Sequence, residues 1–399
     1  GGEMRVEERR VNWEILDAWR DAAAESGIPK IAEFNRGDNS GNAYFQMTQR
    51  RGSRWSATKA FLDPAKARPN LTILTESHVQ KLLFDHLSDE KRCTGIQVQT
   101  KRGIETFEAS REVLLSAGSI GSPQILQLSG VGNGELLKER GVIPAHELSG
   151  VGENLQDHLQ IRTIYKVHNT VTLNQRINSL FGLAAMGIEY FLLKTGPLTM
   201  PPSQLGAFAK SDENQPTANI EWHVQPLSLD KFGEPLHKYN AITPSVCNLR
   251  PSSRGHVRIK SNRPEDYPAL TLNYLSTEED LQVAVSGLKY TRKIMASPAL
   301  SRFEPEELKP GADVVTDADL ERAARDLGTT IFHPVGTCKM GNDPLAVVND
   351  RLEVHGIRGL RVIDASVMPT IVSGNTNAPT VMIAEKGAKF ILEDAVKSS

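Results

Sequence analysis

Apolar residues recur at helical spacing near the start of the chain, where Trp13, Ile15, Leu16 and Trp19 predict an amphipathic helix over 12–24. Residues 71–74 and 79–84 are short, β-branched-rich runs and predict strands. The alternating stretch 94–100 predicts a hairpin with 106–109. Val113-Leu114-Leu115-Ser116-Ala117-Gly118 is a continuous apolar run closing on glycine, the pattern of a strand buried on both faces of a parallel sheet. A helix follows, with Ser122 as its N-cap, Pro123 in its first turn and Gly130 at its end. The middle of the chain changes character. Residues 159–167, 218–224, 256–260 and 269–275 predict strands on long connections, hence a mostly antiparallel sheet in a second domain. An acidic, capped helix is expected over 316–325. The last part returns to strand and helix: 360–364 ends in Asp364, a loop covers 365–376, and a helix covers 377–395. Val381, Ala384, Ala388, Ile391 and Ala395 share one face of it, with Asn377 as cap and Pro379 in the first turn. The fold class is therefore α/β plus α+β.

The longest apolar stretch, 180–193, is interrupted by Glu189 and falls short of the about 20 residues that a bilayer span requires. It reads as a helix buried in a domain, or as a patch lying on a membrane surface. With Phe208, Trp222 and Leu227 it also suggests an apolar entrance, against the plainer reading that all of them are core. The 399 residues are 39% hydrophobic and 24% charged, which supports a folded core of two or three domains. Lys and Arg total 46 against 48 for Asp and Glu, a balance that argues against a nucleic-acid binder. Cys93, Cys247 and Cys338 are too few and too scattered for a disulfide framework or a cysteine-based zinc site, which favours a reducing compartment. The polar opening 1–10 has no apolar core of a secretory signal.

Four places could carry chemistry. Gly118-Ser119-Ile120-Gly121-Ser122 stands at a strand-to-helix junction, where glycine admits a phosphate and helix amides favour an anion; the alternative is a tight packing turn. His333-Pro334-Val335-Gly336-Thr337 sets a proton-transferring side chain in a loop stiffened by proline, unless this is one of ten histidines that happens to lie in a turn. Asp364-Ala365-Ser366 ends a strand, and Asn375 and Asn377 offer neutral donors and acceptors nearby, with turn and cap roles as the alternatives. The run Gly152-Glu153-Asn154-Leu155-Gln156-Asp157-His158 reads as a polar interdomain loop rather than a metal site, so no metal ligand is assigned. Cys338 reads as a small buried residue.

Taken in this order, the motifs resemble the glucose–methanol–choline (GMC) oxidoreductases. Residues 118–132 match the family's second signature at every defined position, and 152–158, 333–341 and 364–369 fit as well. The resemblance runs from about Trp13 to Leu392 and is strongest to the alcohol and choline dehydrogenase branch. It implies FAD as cofactor, with Val79 at the adenine, Ala117 and Gly118 near the dinucleotide, and Asp364 and Ala365 flanking the pyrophosphate or ribityl chain. Asn377 and Thr380 would lie at the flavin's pyrimidine edge. His333 would be the active-site base and Asn375 its partner over the flavin.

The implied architecture is a Rossmann-like FAD-binding domain from 66–145 and 329–399, with a substrate domain from 1–65 and 146–328. The implied reaction oxidises a primary alcohol to an aldehyde, with a flavin lyase or decarboxylase, or an inactive or partner-dependent fragment, as alternatives. The family's opening Gly-x-Gly-x-x-Gly unit and its Gly-rich flavin loop have no counterpart in these residues. The reading therefore expects a longer protein or a second chain to supply them, poor FAD binding by this chain alone, and an unpaired sheet edge. The electron acceptor is left open, and the expected location is cytoplasmic, with peripheral membrane contact as an option.

Overall fold

Alternation along Ile220–Gln225 is complete: Ile220, Trp222 and Val224 point one way, Glu221, His223 and Gln225 the other, and all six are buried. A computed structural model describes residues 2–85 and 91–397, so residues 1, 86–90, 398 and 399 lie outside the described residues. It divides into two compact units.

Unit 1 comprises 1–73, 159–249 and 278–329. Its antiparallel sheet runs Gly41–Tyr44, Leu205–Ala209, Ile220–Gln225, Ala241–Asn248 and Leu159–Ile161. The apolar face packs on the helix Glu278–Met295. Trp222 Nε1 donates to Thr291 Oγ1 at 2.8 Å, and a Cβ on Gly287 would stand 2.9 Å from Val246 Cγ2. Glycine there lets the helix approach the sheet closely. Trp222, Phe208 and Leu227 are buried, which places them in the core rather than at an entrance.

The strand Ala241–Asn248 carries a proline that argues against a central position. Register explains its tolerance. Pro244 falls opposite the break between Leu159–Ile161 and Ile164–Lys166, and Thr163 Oγ1 donates to its carbonyl at 2.8 Å. The ladder lacks a strand residue where proline lacks an N–H.

The apolar stretch is not buried. It forms the helix Leu180–Ile188, continued as a wider turn over Glu189–Leu193, and Met186 is its one buried residue. No helix among the described residues is long and apolar enough to cross a membrane.

Unit 2 comprises 74–158, 250–277 and 330–399. Strands His78–Asp85, Arg92–Thr100 and Gly103–Glu108 form an antiparallel meander, the last two joined by the expected hairpin. The pair His256–Arg258 and Ala269–Thr271 is a separate ribbon, not part of the large sheet. Val113–Leu115 pairs in parallel with Leu360–Val362. Leu115, Leu360 and Val362 enter a core shared with Leu126, Val131, Cys338 and Val367. Leu114 is 45% exposed, so this strand is covered on one face only. On its other side Leu360–Val362 is bonded by the segment 352–354, where Val354 N donates to Leu360 O at 3.0 Å and Val362 N to Leu352 O at 3.1 Å. Arg361, buried beside them, bonds Glu112 at 2.7 Å and Asp394 at 2.8 Å, tying the strand to the helix Asn377–Lys397.

Candidate active site

Parallel strands bring their carboxyl ends to one place, and here Ala117-Gly118 and Asp364-Ala365 meet beyond Leu115 and Val362. The Asp364 carboxylate joins the two turns. Its Oδ2 accepts from Gly118 N at 2.9 Å and from Ser122 Oγ at 2.6 Å, and its Oδ1 accepts from Ser366 N at 2.8 Å.

The helix begins at Gly118, earlier than its sequence suggests, and runs to Leu128. Ser122 is therefore not its cap; its hydroxyl reaches back to accept from Ala117 N at 3.1 Å. Pro123 lies inside the helix and cannot donate to the Ser119 carbonyl. Thr337 Oγ1 donates to that carbonyl instead, at 2.6 Å. Ser119 Oγ in turn donates to Pro334 O at 2.6 Å, so the helix start and the His333 loop are stitched twice.

His333 stands on a strained approach. Phe332 holds φ at +64°, a left-handed backbone that a bulky side chain adopts only under constraint. Asp157 supplies part of that constraint. Its Oδ1 accepts from His333 N at 2.8 Å, and its Oδ2 accepts from Thr330 Oγ1 at 2.5 Å and from the Tyr274 hydroxyl. Burial, with the Asp157 charge, pushes the Tyr274 phenol above its ordinary range and keeps it a donor.

His158, fully buried, places Nδ1 3.0 Å from His333 Nδ1, the rings edge to face at 79°. One nitrogen donates and the other accepts. When His333 carries the shared hydrogen, its Nε2 holds the lone pair and can take a proton; the opposite tautomer makes it a donor. Asp157 and His158, which read from sequence as part of a polar loop, are thus what orients His333. Their partners Tyr274 and Thr330 are distant in sequence, and nothing local revealed the connection.

Asn375 and Asn377 are exposed, and among the described residues neither amide has a hydrogen-bond partner. The long helix starts at Asn377 itself. Thr380 Oγ1 donates back to Thr376 O at 2.7 Å. Val79 is half-buried on the strand His78–Asp85. Cys338 is fully buried, and burial pushes its thiol well above the ordinary range, away from nucleophilic use.

These residues suit a dinucleotide. Gly118 has φ of +80° and nothing within 4 Å of where a Cβ would stand, so the backbone at the helix start offers an open cradle. The amides of Ser119 and Ile120, in the first turn, have no acceptor within the helix and favour an anion.

A second buried polar group lies in unit 1. Glu221, His223 and Cys247 place donor atoms within 4.8 Å of one another, a set able to hold a cation, where the sequence assigned no ligand. His223 Nε2 is 3.1 Å from Glu221 Oε1, close enough for an ion pair but off the direction a hydrogen bond needs. Burial works against charging His223, and the Glu221 carboxylate outweighs it, holding His223 above its ordinary value. Phe45 stacks on His223 at 5.3 Å, seated over Gly206, where a Cβ would collide with the ring.

Parallel-strand ends, a glycine-opened helix start and an oriented histidine define a cofactor-binding enzyme class, and the comparisons specify it. The GMC oxidoreductase family models match residues 2–160 and 251–384. An alcohol dehydrogenase [acceptor] of Pseudomonas putida is 37% identical over 395 residues, covering 98% of this chain and 70% of its own. An oxygen-dependent choline dehydrogenase of Escherichia coli (strain K12 / DH10B) is 40% identical over 380 residues, covering 94% and 67%. Among solved structures, pyridoxine 4-oxidase from Mesorbium loti superposes with a TM-score of 0.84 at 27% identity, covering 98% of this chain and 72% of that one. An FAD-dependent oxidoreductase from Chaetomium thermophilum gives 0.88 at 25%, covering 99% and 74%. The chain belongs to the GMC oxidoreductase family. The expectation of an FAD-dependent oxidoreductase with mixed α/β architecture and antiparallel sheets therefore holds.

Proposed function

We propose that this chain oxidises a primary alcohol to the aldehyde, with His333 as the base that takes the hydroxyl proton. The observation that carries the reading is the 3.0 Å contact between the Nδ1 atoms of His158 and His333. It holds the imidazole through one nitrogen, which supports a reading in which the other, Nε2, takes the substrate proton when His333 donates to His158. Asp157 holds the backbone of the same residue, so both ring plane and loop position are set before substrate arrives. Asn375, exposed and unbonded among the described residues, holds the substrate oxygen by its amide. FAD, when bound, supplies the acceptor for the hydride that leaves the carbon. Ala117 and Gly118 would lie near the dinucleotide and Asp364 and Ala365 would flank its pyrophosphate or ribityl chain, with Val79 at the adenine and Asn377 and Thr380 at the pyrimidine edge of the ring. The relatives named for alcohols and choline support a hydroxyl-bearing substrate.

The test is rapid-mixing flavin reduction by a primary alcohol in the FAD-loaded protein. His333→Ala should slow reduction by roughly 10²–10⁴-fold, the usual contribution of a positioned acid–base group. Unchanged reduction would exclude His333 as the base.

A further inference from the structure

The helix Leu180–Ile188 and its continuation Glu189–Leu193 expose the side chains that ordinarily fill a core. Leu180 is 85% exposed, Phe181 90%, Ile188 59%, Phe191 73%, Leu192 76% and Leu193 66%. A scattered apolar residue on a surface needs no explanation, but a contiguous ridge does. The ridge presents apolar groups on several sides of one helix, a convex shape that a fluid apolar medium accommodates without a matching groove. Between residues 177 and 193 Glu189 is the sole formal charge, and Arg176 neutralises it at 3.3 Å.

Cations outnumber acids at the rim of the ridge, where the Glu7 carboxylate accepts from Arg51 N at 2.9 Å. Lys194 closes the helix with φ of +54° and holds its ammonium 4.3 Å from the Tyr190 ring. Gly196 N donates to Arg10 O at 3.2 Å. The tight turn at Arg51-Gly52 packs on the Lys194 carbonyl, so closely that a Cβ on Gly52 would stand 2.5 Å from it. Exposed Arg50, Arg51 and Arg54 therefore gather with Lys194 at one end of the ridge.

We infer that residues 180–193 are a monotopic membrane anchor, lying in the headgroup–acyl boundary of an anionic bilayer with the basic rim at the phosphates. The helical run is roughly 21 Å long, too short to span but suited to lie in the interface plane. Its aromatic residues and its one terminal cation are the residue types that prefer that boundary. The inference is independent of the reaction assigned above.

The test is co-sedimentation of the FAD-loaded protein with vesicles of phosphatidylcholine alone and of phosphatidylcholine mixed equally with phosphatidylglycerol. The wild type should pellet with the anionic vesicles, and less so in high salt. Combining Phe181→Ser, Phe191→Ser and Leu192→Ser should lower the partition at least about tenfold. These positions are surface-exposed, so the variant stays folded, and its flavin reduction by alcohol should be unchanged. Lys194→Gln and Arg51→Gln should each weaken anionic-vesicle binding about fivefold and leave phosphatidylcholine binding unchanged. A wild type that stays in the supernatant with both vesicles overturns the inference. So does a wild-type oligomer that the triple serine variant turns into monomer without vesicle binding, which would assign the ridge to a second copy of the chain.

Discussion

Asp157 and Asp364 of unit 2 and Glu221 of unit 1 are buried carboxylates in opposite conditions, while Asp280, also buried in unit 1, accepts from Asn248 Nδ2 at 3.1 Å. In unit 2, Asp157 and Asp364 each accept three hydrogen bonds, from donors that belong to segments far apart in sequence. In unit 1, Glu221 is fully buried and accepts none among the described residues. Nor is it isolated in that condition. Arg162, Gln204, His223, Gln225 and Ser245 all keep buried side-chain atoms without hydrogen-bond partners among the described residues, and strand alternation puts His223, Gln225 and Ser245 on Glu221's face of the sheet. Burying polar groups without partners costs stability. Asp157 and Asp364 of unit 2 shape loops; Glu221 of unit 1 instead lies beside His223 with no hydrogen bond among the described residues.

Removing a satisfied acid should therefore be expensive. Asp364→Ala leaves Gly118 N, Ser122 Oγ and Ser366 N without their acceptor, and should destabilise unit 2 by about 3–5 kcal/mol. Urea unfolding reads this as an earlier transition, and a midpoint near wild type would show that the two turns hold without it. Asp157→Asn is milder, because one oxygen survives while the new amide faces donors. A loss of about 2 kcal/mol is expected, together with slower flavin reduction as His333 loses its fixed loop. Slower reduction with unaltered stability would assign Asp157 to positioning alone.

What the sequence disclosed follows the same division. The signature 118–132 and the loop around His333 were legible because their constraints are local: glycine for an open turn, proline and glycine for a stiff loop. Asp157 was not, since its meaning lies in Tyr274 and Thr330. The central strand Ala241–Asn248 was hidden by Pro244, which is tolerated only because the neighbouring strand is broken at that register. The run 180–193 left two readings open, a buried helix or a patch on a membrane surface, and its exposed side chains overturn the first. Its composition is that of a core helix, and composition says nothing about what is available to cover it. Strand 218–224 was recognised by its apolar positions, with Trp222 singled out. The signal left unused was the polar residue at every alternate place, Glu221 and His223, on a strand with no solvent-facing side.

The smallest predicted effect tests the condition of Glu221 directly. His223 is held above its ordinary 6.5 by Glu221 against the pull of burial. A group raised in the folded state contributes stability that is fully present below its unfolded value and is lost as pH rises through the folded one. Wild-type unfolding free energy should thus carry a component that declines as pH rises above about 6.5. Glu221→Gln removes the attraction and leaves burial, so the component should reverse and stability should fall as His223 is forced to charge under acid. Above the folded value the same substitution should be neutral or stabilising by about 1 kcal/mol, because it replaces an unbonded buried carboxylate with an uncharged amide. The measurement is urea unfolding across the pH range for both proteins. If Glu221→Gln instead destabilised unit 1 at every pH by as much as Asp364→Ala destabilises unit 2, Glu221 would be a structural acid like the others, and the contrast between the two units would fail.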